Sequence, residues 1–432
     1  MYDAIIIGTR VAGATTAMLL ARRGLRVLAV DRASFPSDTL STNNIQLPGV
    51  ARLERWGLLG QVAAAGTPAI RRVRFDPGPV VLEGSYPAFE GVDAVYGPRR
   101  TLLDALLVEA AREAGAEVRE RFVVDELAFA DGHVTGVRGR THGGGGGVVE
   151  RARIVIGADG KHSLVAKGVE AATYEEQRPL SIGYYTYWEG VPLDCGELYG
   201  RGRRLIGAWP TNDGLVMTYV SWPADEFRAF RSDIERNLLA TLDLAGDLGA
   251  RVRAGRRAER IYGSADLPNF FRVPYGPGWA LVGDAGLTID PITALGINDA
   301  LRDAELLADA VVAGLGGTKP LDQALARYRH ERDRTALPMY RFTLELASFA
   351  PPTPEQEVLF RSLAGRQQEI DRFLGVLACA VSPTDYFSPR KLRRLIGLRG
   401  FLTIARAKMR GLGDAGAADD AAPDVQTATT AP

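Results

Sequence analysis

The chain opens Tyr2-Asp3-Ala4-Ile5-Ile6-Ile7-Gly8-Thr9-Arg10-Val11-Ala12-Gly13-Ala14 and reaches an acidic residue at Asp31. Ile5 to Ile7 is a short apolar run suited to a strand buried on both faces, and Gly8 permits a tight turn out of it. A helix over Thr15 to Arg23, packed through Gly13 and Ala17, is expected next, then a second strand over Leu25 to Val30 that Asp31 ends. Asp31 stands 23 residues after Gly8, near the spacing at which a carboxylate meets an adenosine ribose in a dinucleotide-binding βαβ unit. The pattern suits an ADP moiety with its pyrophosphate at the helix N-terminus. Arg10 takes the middle glycine position of G-x-G-x-x-G, so its side chain either leaves the phosphate path or turns its charge onto the phosphates.

Two later segments bear on the same reading. Arg153 to Ala158 is an apolar strand that runs into Asp159-Gly160-Lys161-His162-Ser163. Trp279-Ala280-Leu281-Val282 runs into Gly283-Asp284-Ala285, after which Asp290-Pro291-Ile292-Thr293-Ala294-Leu295-Gly296-Ile297-Asn298-Asp299 opens a long helix. In this order, the three segments resemble the class A FAD-dependent monooxygenase superfamily, with its aromatic-hydroxylase-like fold, over about residues 1 to 345. The Gly-Thr-Arg-Val-Ala-Gly opening resembles its geranylgeranyl-reductase-like branch.

The resemblance implies roles residue by residue. Gly8, Ala12 and Gly13 would hold the FAD pyrophosphate, and Asp31 with Arg32 would meet the adenosine ribose. Arg100, or in another register Arg99, would reach phosphate or ribityl groups. Asp159 and Gly160 match a motif tied to both FAD and NAD(P)H; Gly283 and Asp284 match the segment bonded to the ribityl chain. Pro291, Gly296, Ile297 and Asn298 match the segment beside the isoalloxazine ring. A helix that begins near Gly296 aims free N–H groups at whatever precedes it, which favours a reduced, negatively charged flavin; alternatively Asn298 and Asp299 only cap that helix. Departures from the family pattern are Arg10, Thr293 where glycine is common, Lys167 where arginine is common, and Asn43 where one subgroup often has histidine.

Composition fits a large globular enzyme. Hydrophobic residues make up 46% of 432 and charged residues 24%, enough for two or three packed domains. The 52 basic and 52 acidic side chains balance to +0, which argues against nucleic acid as a partner. The first strand begins within three residues of the N-terminus and no run of 18 apolar residues occurs, so a cytoplasmic protein without a signal peptide or transmembrane segment is expected. Cys195 and Cys379 lie far apart, and His133, His142, His162 and His330 have no ligand spacing, so no metal is expected.

The expected fold is α/β: a Rossmann-like FAD-binding domain (1–72, 98–177 and 271–345), an inserted antiparallel β-sheet substrate domain (73–97 and 178–270), a helical C-terminal region (346–412) and a disordered tail (413–432). Gly143 to Gly147 reads as a hairpin loop in a meander over Val123 to Val155. Strands Ser181 to Trp188, Arg204 to Trp209 and Leu215 to Trp222 are rich in aromatics, the last two joined by Thr211-Asn212-Asp213-Gly214. Tyr185, Tyr187, Trp209, Tyr219 and Trp222 either line a substrate pocket or pack the outer face; alternation separates Tyr185 and Tyr187 from Tyr184, Thr186 and Trp188. The acid-free basic stretch from Arg390 to Arg410 either lies on a membrane surface or docks an apolar face on its own domain.

The resemblance implies a monooxygenase that uses NADPH or NADH and dioxygen to hydroxylate or epoxidise an apolar, aromatic or polycyclic small molecule through a flavin hydroperoxide. No side chain is then required as a catalytic nucleophile. The alternative is an FAD-dependent reductase or dehydrogenase of carbon-carbon bonds. A halogenase fits less well, because neither the paired-tryptophan signature nor a suitably placed lysine is found. A binding protein without turnover and both monomer and dimer stay open.

Overall fold

The computed structural model describes residues 1–141, 144, 146–397 and 400–404. His142, parts of the Gly143 to Gly147 loop, residues 398, 399 and 405–410 of the basic stretch, and the whole 413–432 tail lie outside the described residues.

The opening strand Tyr2–Ile7 is the centre of a parallel sheet. It pairs on one side with Val27–Val30, beyond which lies Glu117–Arg119, and on the other with the second half of the long strand Val148–Gly157, beyond which lies Trp279–Leu281. The first half of Val148–Gly157 pairs instead with an antiparallel meander, Phe122–Ala130 and His133–Thr141. The first helix runs Val11–Ala21, one turn earlier than the expected start, because Gly8 turns the chain at once and Arg10 is already its N-cap. It is apolar on nearly every side, as a helix must be when covered all round: the sheet, helix Arg100–Glu113 and helix Gly296–Leu315 enclose it. Helix Leu321–Ala347 packs along Gly296–Leu315. Its buried Arg332 bonds Arg272 O at 3.0 Å and the Tyr174 hydroxyl at 2.7 Å, tying it to a small sheet of Thr173–Gln177, Asn269–Arg272 and Leu287–Thr288.

The second large sheet runs in the order Arg256–Arg257, Ser181–Glu189, Val216–Pro223, Arg204–Pro210, Gly196–Arg201, Arg72–Asp76, Leu82–Ser85. It is antiparallel except where Gly196–Arg201 meets Arg72–Asp76 in parallel. The hairpin at Asn212–Gly214 joins its middle strands, with Asp213 and Gly214 both at positive φ. Tyr184, Trp188, Ile206, Val216 and Val220 form one face, buried under helices Ile234–Leu242 and Leu248–Ala254. Tyr185, Tyr187, Trp209, Met217 and Tyr219 form the other, which shares its core with the opening βαβ unit. Trp222 belongs to the outer face and donates to Thr241 at 2.9 Å, so it does not join the other aromatics; its even position on the strand explains this.

The far edge strand, Leu82–Ser85, is covered by C-terminal helices Pro354–Leu363 and Gln367–Leu377 and by a helix over residues 389–397. Val73, Leu82, Leu359, Phe373, Tyr386 and Leu395 share this core, and Asp371 accepts from Ser85 N at 3.0 Å, which shields an edge that would otherwise pair with another chain. In the described part of the basic stretch, Leu392, Leu395 and Ile396 face this core while Arg390, Arg393 and Arg394 are exposed, so the helix docks one apolar face on its own chain. Among the described residues no helix is long and apolar enough to cross a membrane, and no cluster of His, Cys, Asp and Glu suits a metal.

Candidate functional site

The turn after the opening strand ends on a helix terminus whose N–H groups are uncapped. Gly8 has φ +93, and a Cβ there would meet Ala158 O at 2.5 Å, so only glycine lets this turn lie so close to the neighbouring strand. No side chain caps helix Val11–Ala21 and no acid lies in its first turn. Its first intrahelical bond is from Ala14 N to Arg10 O, so the N–H groups of Val11, Ala12 and Gly13 are open. The Arg10 side chain leaves this path. Its Nη1 bonds Asp104 at 2.6 Å, its Nη2 bonds Ser37 Oγ at 3.1 Å and Asp38 O at 3.0 Å, and its guanidinium lies 5.6 Å from the Phe35 ring. Arg10 thus pins the loop after the second strand, and the missing glycine costs the turn nothing.

Asp31 accepts from Thr9 N at 2.7 Å and from Ala33 N at 2.8 Å, so its first task is to hold the turn itself. Its Oδ2 also accepts from Thr9 Oγ1 at 3.2 Å, so Oδ1 is the oxygen with a lone pair left for a further donor. Arg32, beside it, is exposed.

Gly283 and Asp284 face this turn. Gly283 has φ +61, and a Cβ there would stand 2.6 Å from that of Ala12. Asp284 is open to solvent, yet the dense walls around it push its carboxyl above its ordinary value while Arg100 and Lys161 pull it down. That combination marks the floor of a cleft lined by cations. Arg100 is held by Asp104 through Nε and Nη2, both at 3.0 Å, leaving Nη1 outside this pair. Arg99 points elsewhere, to Glu259 at 2.5 Å and over the Tyr187 ring at 4.0 Å. Asp159 receives Leu164 N at 2.6 Å and so caps the short helix Leu164–Gly168; burial raises its carboxyl, and its Oδ1 has no partner. Gly160 follows at φ +81.

The second helix terminus lies across the cleft. Helix Gly296–Leu315 has Leu295 as N-cap and no side-chain cap bond, so the N–H groups of Gly296, Ile297 and Asn298 are open, and Gly296 is exposed. Neither Asn298 nor Asp299 caps it: Asp299 bonds Arg302 at 2.6 Å, and the buried Asn298 Oδ1 has no partner. Pro291 begins a single turn before it, fixed by Asp290, whose buried carboxyl accepts from Ile292 N at 3.0 Å and from Ser181 Oγ at 2.6 Å and is pushed up to about 6. Thr293 turns its hydroxyl to Thr343 at 2.8 Å, away from the cleft.

The inner sheet face closes the site. The Tyr185 hydroxyl accepts from Ser41 N at 3.2 Å, and Asn43 Nδ2 donates to the Tyr187 hydroxyl at 2.6 Å, so both tyrosines hold the Ser41–Asn43 segment. Gln46 donates to Thr293 O at 3.4 Å, which joins that loop to the Gly296 terminus. Trp209 and Tyr219, 6% and 3% exposed, point polar atoms into the same interior, and neither Trp209 Nε1 nor Tyr219 Oη has a partner. Buried polar atoms are seldom left so, and a water or a ligand would complete their bonding. By contrast, a depression of about 560 Å³ between Asp233, Arg236, Leu239 and Arg253 lies on the helices over the outer sheet face and contains no such orphan.

The glycine turn at Gly8 and the Gly283–Asp284 corner could be located in the sequence, and Asn43, Asn44 and Gln46 could be placed beside the flavin by resemblance alone; Asp104, Asp290 and Ser181 were not singled out. For Asp104 the i, i+4 spacing from Arg100 was an available signal. Asp290 and Ser181 are joined across 109 residues, which no local pattern encodes.

Residues 1–228, just over half of the chain, match the family described as FAD binding domain. In sequence the chain is 25% identical over 339 residues to the 1H-pyrrole-2-carbonyl-(peptidyl-carrier protein) brominase of Pseudoalteromonas luteoviolacea, covering 73% of this chain and 78% of that protein. It is 28% identical over 393 residues to digeranylgeranylglycerophospholipid reductase 1 of Methanopyrus kandleri, covering 87% and 98%. The fold is shared with the monooxygenase PqsL of Pseudomonas aeruginosa, at TM-score 0.68 and 24% identity over 87% of this chain and 99% of that one.

Proposed function

The chain belongs to the FAD binding domain family, and on that premise we propose that this FAD-dependent oxidoreductase is a monooxygenase. It takes electrons from NADPH or NADH and places one atom of dioxygen on an apolar, aromatic or polycyclic small molecule. When bound, FAD supplies the redox chemistry, accepting hydride and reacting with dioxygen. The chain's own residues bind and orient. The open N–H groups of Val11, Ala12 and Gly13 would hold the pyrophosphate, Asp31 Oδ1 would accept from the ribose, and Arg100 and Asp284 would meet the phosphates and ribityl chain. The open N–H groups of Gly296 to Asn298 would favour negative charge on a flavin bound before them. Tyr185, Tyr187, Trp209 and Tyr219 wall off a substrate space from water, which oxygen transfer requires.

The observation that carries this reading is the inner sheet face: apolar, closed, and provided with the unpaired Trp209 Nε1 and Tyr219 Oη. A cytoplasmic location, where NAD(P)H is at hand, goes with it. The similarity to the Methanopyrus reductase over nearly its full length favours a second reading, reduction of carbon-carbon double bonds. Halogenation is disfavoured: among the described residues Lys161 and Lys391 are tied to Asp266 and Glu369, Lys167 and Lys319 are exposed, and no lysine lies on the inner sheet face. The reaction of the reduced protein with dioxygen tests the proposal: oxygen activation supports the monooxygenase, plain reoxidation the reductase.

A further inference from the structure

We infer that Asp290 takes up a proton when the bound flavin is reduced, and so holds inside the site the proton that the reaction later consumes. The inference rests on the reading that the flavin ring lies beside the segment Pro291 to Asn298. It serves oxygen transfer and double-bond reduction alike, since each consumes one proton besides the hydride of NAD(P)H.

Asp290 is set apart by its partners. Among the described residues six acids are buried: Asp76, Asp104, Glu197, Asp290, Asp299 and Asp303. Asp76 is paired with Arg201, Asp104 with Arg10 and Arg100, Glu197 with Arg251, and Asp299 and Asp303 with Arg302. Asp290 is 0% exposed, and among the described residues its partners are all neutral. Ile292 N and Ser181 Oγ donate to its carboxyl at 3.0 and 2.6 Å, and its own N–H donates to Asn269 Oδ1 at 2.8 Å. The titratable group that senses its charge is the Tyr219 hydroxyl on the inner sheet face, raised by burial first and then by this carboxylate. A buried carboxylate without a counter-ion is costly to ionise, and burial pushes Asp290 up to about 6 against the pull of its two neutral donors.

Its place lets the ring feel that charge. Asp290 caps the turn Pro291–Thr293, which leads directly into the open terminus of helix Gly296–Leu315. Reduction brings a hydride, two electrons and one proton, from NAD(P)H to the flavin and leaves the flavin one unit more negative. A new negative charge near an unpaired buried carboxylate raises its affinity for a proton, and by reciprocity a proton on Asp290 makes reduction easier. One solvent proton then adds to the Asp290 carboxylate, and the net charge of the site is unchanged. Asp299 supplies the contrast. Burial raises it to about 6 as well, but Arg302 bonds it at 2.6 Å and offsets its charge.

The test measures the midpoint potential of the FAD-loaded full chain, without dioxygen, against dyes of known potential from about pH 5 to about pH 8.5. One extra proton per two electrons changes the reduction equilibrium tenfold per pH unit, about 30 mV. Above about pH 6 the potential of the unaltered chain should fall more steeply than that of Asp290→Asn by this amount, until the two profiles stand at least about tenfold apart. Asp299→Asn should keep the steep limb. Ser181→Ala removes a bond to the ionised form and should move the onset of that limb to higher pH, which tests the proposal even where Asp290→Asn fails to fold. Parallel profiles for the unaltered chain and Asp290→Asn, loss of the steep limb in Asp299→Asn, or an unmoved onset in Ser181→Ala would each overturn it. Dioxygen and substrate are absent throughout, so a failed monooxygenase reading leaves the result standing, and FAD held elsewhere shows as an FAD content that Gly283→Ala does not change.

Discussion

Replacing Asp104 by asparagine removes one charge from a carboxylate that is 0% exposed and serves two guanidinium groups. Its Oδ2 receives Arg10 at 2.6 Å and Arg100 at 3.0 Å, and its Oδ1 receives Arg100 Nε at 3.0 Å. The amide keeps the shape, so packing is preserved and the effect is electrostatic. Arg10 is partly exposed and solvent can take over its charge, which limits that half to about 1 kcal/mol. Arg100 is buried, and a buried ion deprived of its partner costs roughly 3–5 kcal/mol. The sum is a large share of a typical stability of about 5–15 kcal/mol. Urea unfolding followed by tryptophan fluorescence, without added FAD, measures the loss. Arg10→Leu should cost less when combined with Asp104→Asn than in the unaltered chain, since the two side chains share one bond. A loss below about 1 kcal/mol for Asp104→Asn, or strict additivity with Arg10→Leu, would refute the assignment of Asp104 as counter-ion to both arginines.

Gly283→Ala drives a methyl to 2.6 Å from the Ala12 Cβ in a left-handed turn, and Asp284→Ala removes the acid at the cleft floor; both should purify with FAD content well below stoichiometric. Full FAD occupancy in both would show that the cofactor lies elsewhere. Asp290 carries a pH signature. Its carboxyl is pushed up to about 6 by burial, so the folded chain binds this proton more tightly than the unfolded chain does, and the contribution of Asp290 to stability falls as pH rises from about 4 to about 6. Asp290→Asn should therefore flatten the stability profile in that window, with the remaining slope due in part to Asp299, which is also raised to about 6. A profile as steep in the variant as in the unaltered chain would contradict a proton on Asp290.

What could be read in the sequence was what is local. The opening strand, the turn at Gly8, the strand into Asp159 and the long helix at Gly296 each announce themselves by a run of apolar residues and a break, and the structure has them within a few residues of the expected bounds. Alternation separated Tyr185 and Tyr187 from Tyr184 and Trp188 but left both faces open, because the choice depends on which side the βαβ unit packs. The destination of Arg10 was equally out of reach. Asp104 is 94 residues away, and only the fold brings it beneath the turn. Asp31 shows a subtler gap: its spacing suggested a ribose ligand, while the structure shows the same carboxylate bracing its own loop through Thr9 and Ala33. The C-terminal helices could be expected as helices, but their role as a cover for the Leu82–Ser85 edge rests on contacts such as Asp371 to Ser85 that no local pattern encodes.

The central claim is that the closed aromatic face lets reduced FAD on this chain activate dioxygen. Rapid mixing of the anaerobically reduced, FAD-loaded protein with dioxygen, with and without a bound phenol, tests it by following the flavin spectrum in time. The account predicts a transient that absorbs between the reduced and reoxidised spectra and persists longer when the aromatic face is occupied. A single-step return to the oxidised spectrum under both conditions would contradict it.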